Sequence, residues 1–212
     1  MIYNIKISNG DRNDILDYIY KQKKPFTVVD VGGSMGGWSS PVVDCIIDFN
    51  DPINNSEILH FKCDITNPSS WLEILNYVEK NGKFDFCICS HTLEDIMNPV
   101  FVCEQICKIS KEGYIAVPSK YKELYRFETN HKYRGYIHHR WIFNIENNKF
   151  IGYPKINYLD SNNIFDGIAN NSENIQDLSF YWKDNIEIEY INNNYLGPNL
   201  NSVIDYYNGL FI

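Results

Sequence analysis

Four glycines, Gly32, Gly33, Gly36 and Gly37, close an apolar, β-branched run from Phe26 to Val31, and a second apolar run then ends in Asp48. Glycines at the carboxyl end of a buried strand let a ligand approach bare backbone, with the amides of Gly32, Gly33 and Ser34 pointing at it. Asp48, at the tip of the next strand, is placed to accept hydrogen bonds from a ribose diol. Together these residues read as the nucleoside half of a cofactor site. The spacing Gly32-x-Ser34-x-x-Gly37 puts serine where a dinucleotide fingerprint needs its second glycine, so a diphosphate fits poorly. Asp30 adds a carboxylate two residues before the first glycine, which suits a cationic amino group or sulfonium and repels phosphate. The chain has no Gly-Lys-Ser/Thr phosphate loop.

A second set of residues has the chemistry of proton transfer. His91, Glu94 and Asp95 follow a later apolar run whose last residue, Ser90, belongs with the cofactor-binding set, and His138 and His139 stand together further on. Histidine has the intrinsic pKa for abstracting a proton from a hydroxyl, and His91, at the strand end, is the first candidate. Glu94 is placed to orient a histidine, to hold a substrate hydroxyl or to satisfy backbone amides. In an extended segment His138 and His139 point to opposite faces, so only one of them reaches a given pocket. No metal site is assigned, although Glu94, Asp95 and one of the two histidines make a mixed carboxylate and imidazole set that suits Mg, Mn or Fe.

The elements that must position these groups follow from apolar periodicity. Ile15, Leu16, Ile19 and Tyr20 make one stripe on a helix over 12–22, capped by Asp11 or Asn13. Strands are expected at 26–31, 45–48, 58–62, 84–90 and 113–117, with helices over 71–80 (Leu72, Leu75 and Val78 inward) and 99–110, the latter started by Asn98-Pro99. Only Trp38 to Val43 is available between the first two strands, and Pro41 interrupts it, so that crossover is abbreviated. Residues 1–9 are a short strand or a lid segment. Strict alternation of strand and helix demands a mostly parallel sheet with helices on both faces, a Rossmann-like α/β fold. After Pro118 the alternation stops. A short helix is expected over 120–127, an irregular asparagine-rich excursion over 150–177, a hairpin of 178–182 with 186–191, and a helix over 199–210. The whole reads as one domain, with a cofactor-binding core (26–118), a cover on the acceptor side (119–177) and a terminal hairpin and helix (178–212).

Composition narrows the classes. With 44% hydrophobic and 22% charged residues in 212, the chain can bury a full core and is not disordered. A net charge of −8 argues against nucleic acid as the main partner, although Lys120, Lys122, Arg126, Lys132, Arg134 and Arg140 form a local basic run. No apolar run spans a bilayer and no secretory signal opens the chain, so a soluble, cytoplasmic protein with no membrane partner is expected. The six cysteines fall in core elements without zinc or redox spacing, as buried free thiols.

The pattern Val28-Val-Asp-Val-Gly-Gly-x-x-Gly36 resembles motif I of class I S-adenosylmethionine-dependent methyltransferases. The likeness continues through Phe84-Asp-Phe-Cys-Ile-Cys-Ser-His-Thr-Leu-Glu-Asp-Ile96 and Ile109 to Pro118, similar to motifs IV to VI of the small-molecule members. It is also similar to a subgroup carrying His-Thr-Leu-Glu-Asp-Ile and a later His-His-Arg-Trp, though Asp95 stands where many relatives have histidine. The resemblance implies a class I methyltransferase fold with S-adenosyl-L-methionine as cofactor and a closing antiparallel pair of strands. It further implies that Asp64 faces the adenine amine and Ile65 its ring. The reaction implied is in-line methyl transfer to a small polar acceptor, with a sugar or nucleotide-sugar hydroxyl favoured by the tyrosines and tryptophan of the cover (Tyr121, Tyr125, Tyr133, Tyr136, Trp141). The alternatives are an RNA or cap methyltransferase and a non-catalytic binding module of the same fold.

Overall fold

The computed structural model describes residues 1–9, 11–51, 57–170 and 175–191. In chain order these form β1 (Ile2–Ser8), α1 (Arg12–Tyr20), β2 (Val28–Val31), β3 (Cys45–Asp48), β4 (Leu59–Lys62), α2 (Leu72–Asn81), β5 (Phe84–Ser90), α3 (Pro99–Ile109) and β6 (Ser110–Pro118). There follow α4 (Lys120–Leu124), β7 (Arg126–Glu128), β8 (Tyr133–Arg134), β9 (Trp141–Glu146), β10 (Lys149–Pro154), β11 (Asp177–Lys183) and β12 (Ile188–Tyr190). The main sheet has the order β1-β11-β6-β5-β2-β3-β4, and its five strands from β4 to β6 are parallel. From β2 the chain steps outward through β3 and β4, then returns to the other side of β2 with β5. The order therefore reverses between β2 and β5, where an open α/β sheet leaves a crevice at the carboxyl ends of its strands.

Alternation of side chains across the sheet builds two cores. Val28, Ile46, Phe86, Ile88, Tyr114 and Ala116 face α1 through Ile15 and Ile19. Val29, Val31, Ile47, Cys87, Cys89, Ile115 and Val117 face the other way, against α2 and α3. Burial on both faces is why β2 and β5 read as nearly unbroken apolar runs. Asn98 accepts from the Phe101 amide at 3.1 Å and Pro99 opens α3, as the sequence predicts. Among the described residues all cysteines are free, and all but Cys107 are buried. No helix among the described residues is long and apolar enough to cross a membrane.

Several expectations are corrected. Leu72 is 61% exposed, while Trp71, Ile74 and Val78 point inward. The reason is that Asn67 caps a 3-10 turn, Pro68–Trp71, before α2, which rotates the helical stripe by one residue. Tyr20 is exposed at the end of α1. The helix after Ser119 stops at Leu124, because Arg126–Glu128 turns to pair with Tyr133–Arg134. Residues 149–154 are not loop but the second strand of a tight hairpin, β9 to β10, turned by Asn147 and Asn148 with φ of 50° and 63°. The terminal hairpin is only half as expected. β11 joins the main sheet antiparallel to β6, but its other edge is taken by β1, so β12 leaves to lie parallel to β10 in a second, three-stranded sheet. Residues 1–9 are thus a strand of the main sheet, and the helix expected over 199–210 lies outside the described residues.

Candidate active site

The crevice at the sheet reversal is a cavity of about 320 Å³ lined by Gly32, Asp48, Phe49, Cys63, Asp64, Ile65, Thr66, His91, Thr92, Asp95 and Ile96. Gly32 has φ of +80°, and a Cβ there would sit 2.3 Å from Thr92 Oγ1, so only glycine lets the loop after β2 pass the loop after β5. The Gly32 amide does not face the crevice as expected but donates to the Ile47 carbonyl at 2.8 Å; those of Gly33 and Ser34 donate to no acceptor among the described residues, whereas Gly37 closes a turn onto the Ser34 carbonyl at 2.9 Å. Asp48 Oδ1 accepts from the Asn50 amide at 2.8 Å, and Asp64 Oδ1 accepts from the Thr66 amide at 3.0 Å and hydroxyl at 2.7 Å. Each carboxylate is thereby fixed by one oxygen while the other takes no hydrogen bond from a described residue. Ile65 supplies an apolar wall, braced by Trp71, whose indole donates to the Ile65 carbonyl at 2.9 Å.

A smaller cavity of about 160 Å³ shares Gly32 and His91 with the first and adds Arg12, Asp30, Gly33, Ser34, Trp38, Ser39 and Ser90. Asp30 is 3% exposed and accepts a very short hydrogen bond from the Ser39 hydroxyl. Burial pushes its carboxyl up to about 6, against the lowering effect of that hydrogen bond. Arg12 lies over the Trp38 ring, 5.7 Å from its centroid. This guanidinium has no signal in the sequence beyond its place at the start of α1.

His91 sits where the two cavities meet, in the left-handed region with φ of 53°. Its Nε2 is 3.2 Å from Asp177 Oδ2, and its Nδ1 is 3.2 Å from Glu94 Oε1. These carboxylates, Asp177 first, raise the ring's pKa to about 9, so at neutral pH it is an imidazolium. Burial pushes Asp177 up, but His91 and Lys122, the latter at 2.7 Å, hold it below the usual carboxylate range. Glu94 is fully buried and meets the His91 charge without a well-angled hydrogen bond.

The adjacent histidines do not behave as an extended segment. Tyr136 to His139 is a turn, closed by the His139 amide on the Tyr136 carbonyl at 3.2 Å, and it brings both rings to one side, centroids 4.5 Å apart. Both Nε2 atoms face Asp95 Oδ1, at 3.7 Å from His138 and 3.6 Å from His139. His139 Nδ1 is 2.5 Å from Glu123 Oε1, and Glu123 Oε2 takes Lys155 Nζ at 2.6 Å. Glu123 reaches this position over Gly135, where a Cβ would stand 2.2 Å from Oε2. The pair lines a cavity of about 480 Å³ with Met97, Ile137, Trp141, Lys155 and Asn157.

The structure thus gathers Gly32, Asp48, Asp64, Ile65 and His91 around the crevice, and Asp30, Gly33, Ser34 and Ser90 around the smaller cavity that shares Gly32 and His91 with it. His138 and His139 stand beyond Asp95 on the cover, and Glu94 is tied to His91 rather than joined to them. The sequence reading missed Thr92, Glu123 and Asp177, whose partners are remote in the chain. Of the five cover aromatics, Tyr136 packs on the His139 ring at 4.7 Å and Trp141 lines the 480 Å³ cavity. Most of the basic run is consumed internally: Lys122 on Asp177, Arg126 on Asp166, Arg134 on three carbonyls and Asp166, and Arg140 on the Asp95 carbonyl.

No protein-family model and no curated protein matches the sequence. Among solved structures, the chain is similar to an S-adenosylmethionine-dependent methyltransferase from Mesorhizobium loti, at 9% identity and a TM-score of 0.45, over 81% of this chain and 97% of that one. It is similar to the N-terminal domain of EvdMO1 with SAH bound, at 8% identity and a TM-score of 0.42, over 84% and 82% of the two chains. It is also similar to the plantazolicin methyltransferase BpumL in complex with SAH, at 14% identity and a TM-score of 0.40, over 80% of each chain. Values of this size leave the crevice to be read from its own geometry.

Proposed function

We propose that this chain is an S-adenosyl-L-methionine-dependent methyltransferase acting on a small polar acceptor, a sugar or nucleotide-sugar hydroxyl. The observation that carries this reading is the bare backbone at Gly32 flanked by the carboxylates of Asp48 and Asp64, with the Asp30 and Arg12 cavity continuing beneath. Asp48 and Asp64 on the crevice, with Asp30 in the adjoining cavity, disfavour a phosphate and suit a cation. One guanidinium and one carboxylate in the smaller cavity match the two charges of an amino-acid end. Asp48 would accept from the ribose diol, Asp64 from the adenine amine, and Ile65 would pack on the base.

When bound, the cofactor supplies an electrophilic methyl group, which the acceptor oxygen takes as the carbon–sulfur bond breaks and its electron pair returns to sulfur. Holding the partners in line is worth about 7–11 kcal/mol. Asp95 lines the cofactor crevice, and His138 and His139 line the neighbouring cavity, so the acceptor hydroxyl belongs between them, with Trp141 beside it for a sugar face. Proton acceptance is assigned to this Asp95 and histidine cluster. His91, already protonated, instead holds the junction of the two cavities by bridging Glu94 and Asp177. The free, mostly buried thiols suit a reducing cytoplasm.

The test is calorimetric titration with S-adenosylhomocysteine, followed by transfer of labelled methyl groups into a panel of sugars and nucleotide sugars. Binding that is lost in Asp48→Ala is expected. Absence of heat and of any thermal shift at millimolar ligand would overturn the reading.

A further inference from the structure

We infer that Asp95, His138 and His139 bind a divalent transition-metal ion, with Glu123 as the outer group that orients His139. Among the described residues these three form a group able to offer one ligand atom each, all within 4.8 Å of one another. A tetrahedral or octahedral ion about 2.1 Å from each donor needs donors about 3 to 3.5 Å apart; the 3.6 and 3.7 Å to Asp95 are near this, and the separation of the two histidine donors, at most 4.8 Å, is to be closed by rotation of the exposed His138 ring.

Two further observations point to a ligand. Asp95 Oδ1 is sealed from solvent and accepts no hydrogen bond, yet it is aimed at two ring nitrogens. The side chain as a whole is 42% exposed, but this one oxygen is left without a donor, and a cation between it and the imidazoles satisfies it. His139 also has the arrangement of a metal-bound histidine. Its Nδ1–H is given to the buried carboxylate of Glu123, which fixes the tautomer and turns the Nε2 lone pair toward Asp95. Lys155 and the missing side chain at Gly135 hold that carboxylate in place.

The donor set selects the metal. Two imidazoles and one carboxylate favour zinc, iron or manganese over magnesium or calcium, whose ligands are oxygens. Three protein ligands leave positions open for the acceptor, and the cluster lies between the cofactor crevice and the larger cavity. Its role in transfer rests on the reading above. An ion held there would lower the pKa of an acceptor hydroxyl placed against it, and the proton would then pass to water instead of to the imidazoles, which are occupied as ligands; methyl transfer to that oxygen would break the carbon–sulfur bond of the cofactor, with the electron pair returning to sulfur.

The full chain, stripped with chelator, is titrated with cobalt(II) and zinc(II), following the cobalt visible spectrum and heat. One ion per chain is expected, with at least 10-fold weaker binding in His138→Ala, whose side chain is 64% exposed and whose loss leaves the fold intact. Glu123→Gln should weaken binding by about 10-fold to 100-fold while the cobalt spectrum keeps its shape. Absence of binding, or binding unchanged in His138→Ala and Asp95→Ala, would overturn the inference. Asp48→Ala separates the two proposals: metal binding should survive there while S-adenosylhomocysteine binding is lost. Metal bound by a chain that never binds the nucleoside would sink the enzymatic reading and leave the ion site standing.

Discussion

Replacing His91 with glutamine removes one positive charge from between Glu94 and Asp177 and leaves the left-handed backbone occupied by a non-glycine residue in both proteins. The ring's pKa stands at about 9 against an ordinary 6.5. At 1.36 kcal/mol per pH unit, a fully sheltered ring would gain about 3 kcal/mol. The side chain is 33% exposed, so screening by solvent reduces this to about 1–2 kcal/mol. The sign follows from a raised folded-state value: the contribution is complete below about pH 6.5 and disappears as pH rises through about 9. Urea unfolding of both proteins at pH 6 and pH 9.5 gives the pH-dependent part as a double difference, free of the variant's own packing defects. The stability gap should be about 1–2 kcal/mol wider at pH 6. A gap independent of pH, or a ring that titrates below pH 7 by NMR, would refute the clamp and return His91 to the list of bases.

Gly32→Ala should cost about 1–2 kcal/mol for the left-handed conformation and about 1–3 more for overpacking on Thr92, read as a lower urea midpoint, and should also close the crevice to S-adenosylhomocysteine. Because Asp30 titrates at about 6, a cationic ligand end beside it should bind more tightly as pH rises through that value, and Asp30→Asn should flatten the calorimetric pH profile between pH 5 and 7. Arg134 is 1% exposed and bonds the carbonyls of Leu124, Leu159 and Asn162. Arg134→Met strands those acceptors and should lower stability by about 3–5 kcal/mol in urea unfolding, loosening the cover while β2 to β6 persist.

What could be read from sequence was what is encoded locally. β5 and α3 were legible because an apolar run and an Asn-Pro cap act within a few residues, and the glycine loop with Asp48 declared a crevice by chain position alone. The β9 to β10 hairpin had its own local signal, Asn147-Asn148 between apolar runs, which was lost in an asparagine-rich stretch. The adjacent histidines would face apart on an extended backbone, and they share a side because Tyr136 to His139 turns, which no local signal announces. The contacts that set the site's protonation were invisible for a different reason. His91 meets Asp177 across 86 residues and His139 meets Glu123 across 16, and no periodicity announces such pairs. The destination of β12 was likewise decided by competition for an edge that β1 had already taken.

The pairing of β1 with β11 has a consequence for biosynthesis. β1 finds its partner only after residues 177–183 have been made, so until then one flank of β6 lies open and Tyr3, Ile5 and Ile7 have no sheet to join. Completion of the sheet is therefore a late, non-local event, slow by the measure of contact order. Ribosome-bound chains halted before residue 177 should be the species that chaperones hold and that aggregate when released.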